Sequence, residues 1–218
     1  MSYLLNGYNW DLSDPQSIPN LFFAHLYITV ISVVLGVIIA FPIALLLMRF
    51  KRLYLPVVTT AGIIYTLPSI ALFVLLIPLT GLEAPTIIIP LVAYTQIVLI
   101  RNIIAAIHAV DPGLVDVGRA MGMKGFQVQT RVVLPLALPV IVAGLRVATV
   151  TNIGIATLSF AIGVPTLGLI IFQGFVFSYR DEILGGALLV TAFAIGADLL
   201  LLALQRALAR GQQVGATA

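Results

Sequence analysis

Residues 21–48 form one apolar run with no charged side chain, longer than the roughly 20 residues a helix needs to cross about 30 Å of hydrocarbon. Further runs follow at 55–79, 86–110, 134–162 and 183–204, and the only charges inside them are Arg101, Arg146 and Asp198. Hydrocarbon offers no hydrogen bonds, so each run must bond its own backbone as a helix. With 61% hydrophobic and 9% charged residues, the chain has too little polar surface to cover a soluble globule. It reads as an all-α membrane protein with five transmembrane helices.

The basic residues orient those helices. Arg49, Lys51, Arg52, Arg119, Lys124, Arg131, Arg206 and Arg210 fall in loops on one side, and Arg180 alone falls on the other. Lys and Arg in short loops mark the cytoplasmic face, which predicts an outside N-terminus and a cytoplasmic C-terminus. Residues 1–20 then form an extracytoplasmic segment with Tyr3, Tyr8 and Trp10 at the interface. Residues 21–205 form the transmembrane domain, and 206–218 form a cytoplasmic tail. The first run lacks the basic flank of a signal peptide and is too long for one, so it should stay as an anchor. The piece at 169–177 is too short to span, and it reads as a re-entrant or interfacial hairpin arm after the Gly–Pro break at 163–168.

One polar island interrupts the apolar runs at 111–139. Asp111 is a good N-cap, Pro112 suits the first helical turn and Gly122 can end the helix with φ > 0, so one compact helix is specified at both ends. Gly118, Ala120 and Gly122 favour close approach by another surface. Met121 and Met123 offer adaptable apolar contacts, and Arg119 and Lys124 offer charge. Such a helix fits a socket on a partner. Pro135 is expected to start the next helix.

Polar side chains within the spans are candidates for a translocation path or for bonds between helices. They are Tyr65, Thr66 and Ser69 in the second span, Thr95 and Gln96 in the third, and Thr149, Thr151, Asn152 and Ser159 in the fourth. Of the buried charges Arg101, Arg146 and Asp198, counting residues at about 1.5 Å each puts Arg101 and Asp198 at one depth. The expectation is an Arg101–Asp198 strut, with Arg146 as the second choice. His25 and His108 read as structural or interfacial, and Gly185–Gly186 and Ala192/Gly196 as helix-packing contacts.

Several classes of function are excluded. No G-x-x-x-x-G-K-[ST] occurs, so the chain has no phosphate-binding loop of its own. It lacks cysteine, H-E-x-x-H and G-x-S-x-G, and its acidic residues are scattered singly. No catalytic or metal site is expected.

The island also resembles the EAA loop of bacterial ABC importer permeases, roughly E-A-A-x-x-x-G, nine residues, then I-x-L-P. Asp116 stands at the acidic position, Val117 and Gly118 at the alanines, Gly122 at the glycine, and Val132, Leu134 and Pro135 at the close. Asp116 and Gly118 keep charge and smallness, while Val117 is bulkier than the pattern. Residues 66–81, TLPSIALFVLLIPLTG, resemble the second membrane helix of permeases for glycine betaine, choline and related osmoprotectants.

The resemblance implies a multi-pass permease subunit of the bacterial or archaeal plasma membrane with the type I importer fold. It would carry glycine betaine, choline or carnitine through a path shared with a second copy or a similar permease. It implies that residues 111–134 couple to a separate ABC ATPase that binds ATP and Mg, with Asp116, Val117, Gly118, Arg119, Ala120, Met121, Gly122, Met123 and Lys124 at the contact. A separate extracytoplasmic binding protein would select the solute, typically through an aromatic cage. Membrane lipid is a further partner, and nucleic acid is not. An amino acid or sulfonate permease is the alternative within this class, and an ion-coupled secondary transporter is the alternative outside it.

Overall fold

The computed structural model describes residues 2–214 and is almost wholly helical. After short turns at Ser2–Leu5 and Gly7–Trp10, the helices in chain order are α1 (Ile18–Arg49), α2 (Tyr54–Thr66), α3 (Ser69–Thr80), α4 (Ala84–His108), α5 (Pro112–Ala120), α6 (Gly125–Ile162), α7 (Gly168–Val176) and α8 (Arg180–Val214). Four of them, α1, α4, α6 and α8, are long and apolar enough to cross a membrane.

The run at 55–79 is not the single straight span the sequence suggests. It is broken into α2 and α3, which meet at 96°. The cause is local: Pro68 has no N–H to continue the ladder, and it forces Leu67 into extended backbone at φ −70°, ψ 141°. Tyr94 of α4 holds the break open by donating its hydroxyl to the freed Leu67 carbonyl at 2.8 Å.

The start of α6 also differs from expectation. Pro135 stands in the first turn of the α-helical stretch Leu134–Ala156, as expected, but that stretch is not preceded by a loop. The helix runs in from Gly125 through a π-helical turn at Gln129–Val133, which absorbs the missing proline N–H in a wider register.

α4 is the central helix, with α1, α2, α3 and α6 packed around it. Its contact with α6 is very close: a Cβ at Gly144 would overlap the Asn102 side chain, so only glycine lets the two helices approach this far.

Each end of the bundle has its own apolar cluster. At one end Leu47 of α1, Ile103, Ala106 and Ile107 of α4, and Val128 and Val133 of α6 pack together. This gathers Arg49, Lys51, Arg52, α5 and the start of α6 at that end. At the other end Ile18 and Leu21 of α1 pack on Leu167 and Ile170.

The turn into α7 is tied down there by buried polar bonds. Ser159 donates to the Val164 carbonyl at 2.8 Å, Thr166 donates to the Ala156 carbonyl at 3.1 Å, and the two hydroxyls lie 3.0 Å apart. α7 has nine residues, or about 13 Å, and cannot cross; it packs back on α8 as the short hairpin arm read from the sequence.

Candidate functional site

α5 forms as its termini dictate. The Asp111 side chain accepts the Gly113 N–H at 2.8 Å, and Gly122 turns the chain out at φ 80°. The Gln127 side chain then accepts the Lys124 N–H at 2.8 Å and starts α6. α5 is amphipathic, and its two faces have separate roles. Val115 and Met123 lean on the end cluster, and Gly118 is buried against Val128, Val132 and Met123. The expectation that Gly118 offers close approach to a partner's surface is therefore corrected. The helix ends at Ala120, and Gly118 is the point where α5 rests on α6.

The outward face is apolar instead of small. Val117 is 57% exposed, Met121 71% and Phe126 80%, with Leu114 beside them. Arg119 donates to Asp116 at 3.3 Å along the same surface, and Ala120 and Lys124 are exposed as well. Exposed apolar side chains rimmed by charge are what a protein or a membrane contact uses. Phe126 lies two residues past Lys124, outside the stretch expected at the contact, and only its position beyond the Gly122 turn marks it in the sequence.

The polar span residues divide into two groups. Tyr65, Thr66 and Ser69 flank the break between α2 and α3. The Tyr65 ring stands edge-on to Tyr94 at 5.9 Å, Thr66 bonds the Ile63 carbonyl at 2.7 Å, and Ser69 opens α3 half-buried.

The others lie inside the subunit or at its seams. Thr95 is buried over Gly36 and bonds back to Val92, and Gln96 reaches the carbonyls of Val92 and Gly36 at 2.9 and 3.3 Å. Thr149 bonds back to Leu145, Thr151 is half-buried, and Ser159 belongs to the turn network. Asn152 is fully buried, and neither of its amide atoms has a partner among the described residues. His25, also buried, donates from Nε2 to the Ile153 carbonyl at 3.0 Å and so ties α1 to α6.

The charges pair differently from the expected strut. Arg146 donates to both Asp198 oxygens at 2.8 Å and to Gln205 at 2.9 Å. Equal depth did not decide the partner. α8 packs along α6 and α7, so Arg146 is the cation that meets Asp198. Arg101, expected to be buried, is exposed and makes no hydrogen bond or ion pair among the described residues. At the other end Tyr3, Asn6, Asn9 and residues 178–182 surround a polar hollow, where burial and the carboxylates of Glu182 and Asp14 push the Tyr3 phenol up. Among the described residues no three of His, Asp and Glu gather as a metal site.

Residues 32–214 match the family model described as binding-protein-dependent transport system inner membrane component. The chain is 39% identical over 182 residues, 84% of each chain, to a glycine betaine/carnitine/choline transport system permease protein of Bacillus subtilis. To the osmoprotectant import permease protein of Salmonella typhimurium it is 38% identical over 199 residues, 89% of this chain and 93% of that one. A carnitine transport permease protein of Listeria monocytogenes is 36% identical over 171 residues. Among solved structures, the MetNI methionine ABC transporter in an inward-facing conformation matches with a TM-score of 0.77 over 88% of this chain and 95% of that one; at 24% identity this is a likeness of fold.

Proposed function

We propose, for a chain that belongs to the family of binding-protein-dependent transport system inner membrane components, that it is the permease of an ATP-driven osmoprotectant importer carrying glycine betaine, choline or carnitine. The observation that carries the solute class is the identity of 36–39% to permeases for these solutes over most of the chain.

The working unit has five spans per copy, with α2 and α3 together counted as one. The end that holds Arg49, Lys51, Arg52 and α5 faces the cytoplasm, a reading supported by the excess of basic residues there. Two permease copies face each other around a shared path, each docked through Val117, Met121 and Phe126 to a separate ATPase that holds ATP and Mg. Because the chain has no nucleotide-binding loop, coupling is mechanical. ATP binding draws the ATPases together, α5 moves with its socket, and the contact of Gly118 on Val128 and Val132 passes that motion into α6. The opposite end, with Glu83 and residues 178–182, receives the loaded binding protein.

Reconstitution tests this reading. The permease with its ATPase and binding protein in liposomes should take up glycine betaine only with ATP inside the ATPase compartment. Uptake driven by an ion gradient without ATP would replace it with a secondary transporter.

A further inference from the structure

α4 carries one stripe that the rest of the subunit leaves open. Tyr94, Val98, Arg101, Ala105 and His108 recur at helical spacing along one face. Tyr94 is covered because its hydroxyl bonds Leu67 at the break. From there toward the α5 end, Val98 is half-covered, and Arg101, Ala105 and His108 are exposed. α2 lies against the neighbouring face of α4, where Pro56, Val57 and Ile64 share a groove with Gln96 and Ile100, and so leaves this stripe open.

Arg101 is the one full charge on the uncovered stripe. It lies beside Ile100, which shares a groove with Pro56 and Val57 of the first turns of α2, so its level is the α5 end of the bundle. Among the described residues nothing neutralises it: Asp198, the one carboxylate deep within a span, is held by Arg146 and Gln205 against α6. An arginine on a lipid-facing stripe would carry a cost that a water-filled route removes. A lone cation on a pore wall repels cations and attracts anionic groups.

We infer that Arg101 is a charge-selecting residue at the cytoplasmic mouth of the path. Contributed by both copies, it makes a positive constriction that passes zwitterionic trimethylammonium carboxylates and disfavours net cations, including choline and inorganic monovalent ions. This rests on the transport reading above and narrows its solute class to zwitterions. A solute with no net charge crosses the constriction without repulsion, and its carboxylate meets the guanidinium as its ammonium passes. A solute with only the ammonium meets like charge on both sides.

The test uses the natural absence of cysteine. Ala105→Cys, one turn from Arg101, is placed in the complete transporter in inside-out vesicles. It is then titrated with a trimethylammonium-ethyl and a sulfonato-ethyl methanethiosulfonate, with His108→Cys as a second reporter. Adding Arg101→Gln should raise the cationic-to-anionic rate ratio by about fivefold, as expected for removing a unit charge at about 8 Å in water, while Arg101→Lys keeps it low. Trapping the ATPase with vanadate should slow both reagents at position 105. In uptake assays Arg101→Gln should raise choline transport relative to glycine betaine. A rate ratio that Arg101→Gln leaves unchanged overturns the inference, as does a cysteine at 105 that neither reagent reaches because lipid covers it. If the unaltered transporter takes up neither solute with ATP, the transport reading falls, whatever the reagents report at position 105.

Discussion

Arg146 and Asp198 form a two-pronged ion pair, Nε to Oδ1 and Nη2 to Oδ2, both at 2.8 Å, between two helices that are each long and apolar enough to cross a membrane. A fork-to-fork geometry fixes the rotation of one helix about the other as well as their distance. The pair matters because α8 is the least enclosed of the long helices, and Gln205 two turns on adds a third bond to the same guanidinium.

Removing one partner leaves the other as an unpaired charge at membrane depth. Arg146→Ala and Asp198→Ala should each lower the amount of folded permease recovered in detergent several-fold, and the double variant should recover part of that loss. Gln205→Ala should cost less than either. Strictly additive losses in the double variant would show that the two side chains act separately.

Gly144 sets how closely α4 and α6 approach. Gly144→Leu should destabilise the permease by about 1–3 kcal/mol through overpacking against Asn102, read as a lower midpoint of thermal aggregation. Asn102→Ala in the same chain should restore part of it, since the obstructing side chain is gone. No recovery would place the strain elsewhere.

Docking should depend on the apolar face of α5 and Phe126. Val117→Asp, Met121→Asp and Phe126→Asp should leave folding intact, because these side chains are exposed. Each should cut the stimulation of the ATPase by loaded binding protein about tenfold or more, as for loss of an interface anchor worth about 2 kcal/mol. Gly118→Trp should behave differently and disturb the permease itself, since Gly118 is packed on α6. Full stimulation in all three aspartate variants would remove this surface from the coupling contact.

The two ends of the bundle should sit on opposite sides of the membrane. Single cysteines at Glu83 and Tyr179, both exposed, should react with an impermeant thiol reagent applied to intact cells, and one at Lys124 should not. Labelling of Lys124 from outside would invert the arrangement.

The long helices and the caps of α5 were legible because each depends on local chemistry: run length for a span, Asp111 and Gly122 for the ends. The break at Leu67–Pro68 was also written locally, since a residue before proline is driven out of the helical region. The run stays apolar on both sides of it, so hydropathy alone does not show the break. The partner of Asp198 was not legible. Counting residues gives depth but not direction around the helix axis, and the direction follows from α8 lying on α6. Gly118 shows the same limit. Smallness suggested a close approach by a partner, but a Cβ at Gly118 would only touch the chain's own Val132, Val128 and Met123 at 3.5–3.6 Å, and which neighbour it meets is a tertiary fact. Tyr94 was missed because a tyrosine in a span resembles an interfacial one until the carbonyl it caps is seen.

The open stripe below Tyr94 also bears on how the protein is made. If that stripe lies at the seam between subunits, a copy inserted alone holds Arg101 at a cost that pairing removes. A permease overproduced without its partners should then be recovered folded in lower yield than one made together with them.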